Sequence, residues 1–170
     1  MKRYALSIVF CVLSASAVFA QTKSPVEGVW KIAEVVVPAG NPAAKGTPIT
    51  VSNPQPGMII FTKGHYSGMA VTGPQPRAAV APAKDPQNLT DAEKIARYEQ
   101  WGPFIASAGT YEIKGSTLSL RAIVSKDVAG MTSETPQEWT FKLEGQDTLR
   151  LEPPAAQAAT QPRIKLTRLE

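Results

Sequence analysis

The chain has 170 residues, a formal charge of +4, one cysteine and one histidine. That length supports a single domain with its own core, burying about 70% of the surface the unfolded chain exposes. Two of the 18 basic residues, Lys2 and Arg3, stand at the extreme amino terminus and leave 16 Lys and Arg against 14 Asp and Glu, a balance near +2 that gives no basis for nucleic-acid binding.

Residues 1–20 read as a cleaved secretory signal peptide. Lys2 and Arg3 supply the positive start, Leu6 to Val18 is an uncharged apolar run, and Val18-Phe19-Ala20 precedes a cut at Gln21. The run is too short to span a membrane, and no later stretch approaches one. Cys11 leaves with the signal, and Phe10 before it is too bulky for a lipoprotein site. The mature chain is therefore expected to be exported, periplasmic or secreted, with no disulfide, no lipid anchor and no transmembrane segment.

The first strand of the mature chain is Val26 to Val37, VEGVWKIAEVVV. At period two it sets Val26, Gly28, Trp30, Ile32, Glu34 and Val36 on one face, and the face with Trp30 is the inner one. Pro38 to Pro56, Thr72 to Gln87 and Pro153 to Pro162 are rich in proline and alanine, which excludes central strands and makes them long loops. Between them run hairpins. Lys63-Gly64 joins Ile59–Thr62 to His65–Val71 and pairs Phe61 with Tyr66; Lys114-Gly115 places Tyr111 opposite Leu118; Gly145-Gln146-Asp147 joins Trp139, Phe141 and Leu143 to Leu149 and Leu151. The middle hairpin puts Gly109, Tyr111, Ile113, Leu118, Leu120, Ala122 and Val124 on one side, and a last strand carries Ile164, Leu166 and Arg168.

Tight and long links alternate, so an up-and-down arrangement places every tight turn at one end and every long loop at the other. The predicted fold is all-β, an eight-stranded antiparallel up-and-down barrel closed by pairing the first strand with the last. One short helix, DAEKIARYEQW, is predicted in the loop between strands 3 and 4, started by a Thr90/Glu93 capping box. Its Tyr98 and Trp101 are placed over the loop end. Trp30 and Arg168 both face inward at the tight-turn end, where a guanidinium stacked on an indole is favourable by about 0.5 to 2 kcal/mol.

These residues resemble a known family. The Gly28-Val29-Trp30 opening with an inward Arg168 on the closing strand is similar to the lipocalin signature, within the calycin superfamily, and more closely to the bacterial lipocalin-like domain. That group has a similar GVWKI opening, a hairpin like GMIIFTKGHYS and a strand pair like GTYEIKGSTLSL. The likeness covers Val26 to Ile32, Gly57 to Val71 and Ala108 to Glu170; the Asp- and Tyr-bearing turn motif of the secreted lipocalin branch is not found. The resemblance assigns structural roles at the closed end to Gly28, Trp30 and Arg168, and it supplies no catalytic residue.

Metal and nucleophile chemistry have little to work with: the mature chain has no cysteine, and its one histidine, His65, turns outward beside a tight turn. No pattern implies a metal or a cofactor. Bulky inward residues crowd the tight-turn end, whereas Gly68, Ala70, Gly109 and Ala122 leave room at the other, enough in an eight-stranded barrel for one small ligand. The expected site is lined by Ile32, Glu34, Val36, Ile59, Ala70, Gly109, Ala122, Val124, Gln137, Trp139 and Leu151, with Tyr98 and Trp101 above it. Its partner would be a small apolar molecule such as a lipid, isoprenoid or pigment, carried or scavenged. Two alternatives stand beside this one: a cavity enzyme of isomerase or cyclase type using Glu34, and a non-binding envelope module whose loops contact other proteins. Exported protein is expected to begin at or near Gln21 and to lack a thiol, and an intact mass retaining residues 1–20 would overturn that.

Overall fold

The computed structural model describes residues 23–170 apart from Pro74, so the signal-peptide expectation lies outside the described residues. Nine strands form one antiparallel sheet: β1 (Gly28–Val37), β2 (Ile49–Val51), β3 (Gly57–Phe61), β4 (His65–Val71), β5 (Phe104–Lys114), β6 (Thr117–Ser125), β7 (Gln137–Glu144), β8 (Thr148–Glu152) and β9 (Arg163–Arg168). Their order is β2-β1-β3-β4-β5-β6-β7-β8-β9, and β1 also pairs with β9. Eight of them thus close into an up-and-down barrel, the architecture expected from the alternation of tight and long links, and β2 is an addition on its flank.

Sequence reading placed β2 inside a loop. Ile49-Thr50-Val51 is a β-branched run that pairs with Val37, Val36 and Val35. The cause is a mismatch in length, since β3 pairs with β1 only from Gly28 to Lys31 and leaves the upper half of β1 open on that side. Three residues of β2 cover the unpaired groups. The extra strand also corrects the place of the helix: α1 (Asp91–Trp101) lies between β4 and β5, not between strands 3 and 4. Its start is as the sequence indicates. The Thr90 hydroxyl accepts from Glu93 N at 3.3 Å, and the Glu93 carboxylate accepts from Thr90 N at 2.8 Å and from the Thr90 hydroxyl at 2.7 Å. Those bonds, the hydroxyl's first, hold the Glu93 carboxyl below its ordinary pKa. A second short helix, α2 (Val128–Thr132), follows β6.

The hairpins fix most of the register. Phe61 pairs with Tyr66 across a turn in which Gly64 holds φ at 78°, and Leu143 pairs with Leu149. In the middle hairpin the positive φ belongs to Gly115, the first residue of a Gly115-Ser116 turn, so Lys114 pairs with Thr117 and Tyr111 with Leu120 rather than with Leu118. A slip of two leaves the side chains from Gly109 to Ala122 on their predicted faces.

Core packing is concentrated at the tight-turn end, where Val26, Trp30, Phe61, Leu118, Leu149 and Leu166 are fully buried. Trp30 pairs with Arg168 across the closing ladder, its Nε1–H donates to Val26 O at 2.7 Å, and the guanidinium carbon lies 4.0 Å from its ring centroid. Arg168 in turn donates from Nε to Gln146 O and from Nη1 to Glu27 O, each at 2.6 Å. Gly28 is required beside this stack: its φ is 141°, and a Cβ there would strike Arg168 Nη1 and Glu170 O. Trp30→Ala is expected to cost about 3 to 5 kcal/mol and Arg168→Ala less, of a total of about 5 to 15, measured as denaturant midpoints. A wild-type midpoint for Trp30→Ala would mean that the plug carries no stability.

Candidate functional site

Two bulges decide which side chains enter the open end. In β1 the register against β9 slips between Ile32 and Glu34, leaving Ala33 as an extra residue. One inserted residue inverts the alternation beyond it. Val35 therefore packs against the core, while Glu34 and Val36 pair with Lys165 and Arg163 on the outer wall near Arg150. Glu34 and Val36, expected in the cavity from the alternation of the first strand, therefore lie outside it.

The second bulge lies where Ala108 pairs with Val124 and Gly109 with Ala122, so that Ile123 is extra. Val124 turns outward and is 60% exposed, and Ser125 takes the inward place opposite Ser107. Gly109 serves the bulge and leaves no ligand space: a Cβ there would run into the β6 backbone at Arg121 and Ala122. Ala70 is likewise used up in packing, buried against the Gly57 backbone beside Ile32.

The remaining space is a cavity of about 370 Å³. Ile32, Ile59, Leu120, Trp139, Leu151 and Ile164 form its walls, and Ser107, Ser125, Lys126 and Gln137 stand at its rim. Of the residues expected to bind, Ile32, Ile59, Gln137, Trp139 and Leu151 come together here. Gly68 lines it too, with Ile59 at ordinary contact distance, 3.5 Å, from where a Cβ would sit. Leu120 and Ile164 were on the inner face by parity, but Ser125 was hidden by the bulge. Phe104 and Ile105, at the start of β5 close behind α1, also border the cavity.

The helix does not cover the opening with its apolar stripe. None of its side chains is buried; Tyr98 is 77% exposed and Trp101 55%. Trp101 instead meets Phe104 edge to face at 5.5 Å, and the Arg77 guanidinium lies 4.9 Å from the Phe104 centroid, which fastens the proline-rich loop to the rim. Lys126 Nζ donates to the carbonyls of Trp101, Gly102 and Phe104, a cation set at the C-terminal end of α1. Asn41 Nδ2 donates to Thr160 O at 2.7 Å and ties the first long link to the last. Below the cavity, Tyr111 packs edge-on against Phe61 at 5.3 Å, and its buried hydroxyl has no hydrogen-bond partner among the described residues. His65 is exposed.

No family model matches the chain, and no curated protein matches it. Among solved structures, a lipocalin-like protein from Bacteroides uniformis is similar over 86% of this chain and 100% of that one, with 16% sequence identity and a TM-score of 0.45.

The two inward glycines separate by experiment. Gly109→Ala has no room and is expected to lower stability by about 1 to 3 kcal/mol, whereas Gly68→Ala should leave the denaturant midpoint unchanged. Equal midpoints for both variants would contradict the assignment of Gly109 to the bulge.

Proposed function

We propose that this is an exported carrier or scavenger that holds an elongated apolar molecule, a lipid, isoprenoid or pigment, in the barrel cavity. The observation that carries the reading is the contrast between the two ends: a floor filled by Trp30, Phe61, Leu118, Leu149 and Leu166, and above it an apolar cavity of about 370 Å³ open at the rim. That size falls in the range of small-molecule pockets, and a mostly apolar wall with a few polar groups at its edge is their usual make-up. Glu34, on which a catalytic alternative depended, stands on the outer wall among Arg150, Arg163 and Lys165, away from any cavity substrate. A reading as an inert interaction module leaves the unfilled interior without a use.

Trp139 reports on the cavity and Trp30 on the floor. Titration with a fatty acid and a polyene probe is expected to quench Trp139 fluorescence saturably and to lose that signal in Trp139→Phe. Gly68→Leu projects a side chain into the space, so it should weaken binding at least about tenfold, roughly 1.4 kcal/mol, with an unchanged melting temperature. Wild-type protein that gives no saturable quench with either probe would remove the carrier reading.

A further inference from the structure

The barrel wall is split next to the cavity. Pairing of β6 with β7 stops at Leu120 and Gln137, so Arg121–Ser125 has no ladder partner on that side. A cleft of about 840 Å³ occupies the gap, bounded across from β6 by the link between β8 and β9. Cavity and cleft share Ile105, Ser107, Leu120, Ser125, Asp127 and Gln137, so the two chambers adjoin. Among the described residues no hydrogen bond joins the link over residues 126–136 to the one over residues 153–162, although Asn41 fastens the first long link to the latter and Lys126 fastens the former to the end of α1.

The chambers differ in chemistry. The inner one is walled by aliphatic side chains and Trp139, whereas the cleft presents Ser107, Thr135, Gln137, Gln157 and Gln161. Gln161 Oε1 is buried without a hydrogen-bond partner, and neither Gln137 nor Gln157 makes a side-chain hydrogen bond among the described residues. A buried amide oxygen left unpaired is costly unless something donates to it. The charges nearby are engaged or sparse. Both terminal nitrogens of Arg121 donate to Glu134 O at 3.3 Å, the Asp127 carboxylate accepts from Ala129 N at 3.0 Å, and Glu138 is the remaining charged group of the lining. A headgroup suited to this cleft is uncharged and rich in hydroxyl or amide groups, because amides pair with such groups and the lining sets the positive charge of Arg121 against the negative charges of Asp127 and Glu138, a balance that gives an anion no net attraction.

We propose that the ligand is a single-chain amphiphile whose hydrocarbon chain fills the barrel and whose uncharged, polyhydroxylated or amide-bearing head rests in the cleft between β6 and the β8–β9 link. This rests on the carrier reading and narrows it from any apolar molecule to one with such a head.

The test uses three probes of equal chain length below their micellar concentrations, decyl maltoside, 1-decanol and decanoate, titrated calorimetrically into the mature chain. The maltoside is expected to bind at least about tenfold more tightly than the other two, the equivalent of roughly 1.4 kcal/mol. Gln161→Leu should reduce the maltoside toward the affinity of decanol and leave decanol unchanged. Gln157→Leu, on an exposed turn whose change leaves folding intact, should weaken the maltoside alone. Decanol or decanoate binding as tightly as the maltoside to wild type would overturn the amphiphile proposal while sparing the carrier reading; so would variants that weaken all three probes equally. Failure of every probe to bind would overturn both.

Discussion

The contact between Trp30 and Arg168 is the constraint on which the barrel depends. It joins the first strand of the barrel to the last, and it does so where both strands meet the tight-turn end. The indole supplies bulk for the floor, and the guanidinium covers it while bridging to the carbonyls of Glu27 and Gln146. Pairing β1 with β9 removes the two edges that the first and last strands of the barrel would otherwise expose at the floor. The glycine at position 28 follows from the same demand, since the guanidinium occupies the space a side chain would need.

Most of this was legible in the sequence because period-two patterns and glycine turns act locally. Phe61 opposite Tyr66 follows from Lys63-Gly64, and the inward set Trp139, Leu149, Leu151 and Leu166 follows from alternation alone. Alternation fails at bulges, which depend on partners far along the chain. Nothing in VEGVWKIAEVVV marks Ala33 as the residue that falls out of register, and yet that single residue moves Glu34 and Val36 to the outside. The same applies to Ile123, which turns Val124 out and Ser125 in. Gly109 misled for a related reason: a small residue on an inner face can mark room for a ligand or a neighbouring backbone pressed close, and only the fold tells them apart. β2 was missed because its three residues lie between prolines and gain their pairing from the excess length of β1.

The open end is held in a different way from the floor. Its links are joined by polar fastenings, Asn41 to Thr160 and Lys126 to the end of α1, and its larger apolar side chains, among them Ile95, Ile105 and Val124, face solvent. Few of its residues share in the main core. Rigidity thus falls along the barrel from floor to rim, which keeps the wall of the cavity fixed while leaving its border adjustable.

The alternation of short and long connections has a consequence for how such a chain tolerates change. Adding one residue to a tight turn exchanges inside for outside along a whole strand, so insertions at the floor are ruinous. Doubling the length of a rim loop costs only about 0.6 kcal/mol in closure entropy. Insertions and deletions are therefore filtered out where the strands are registered and permitted at the rim of the cavity, so descendants of this barrel can change what borders the opening without first having to relearn how to fold.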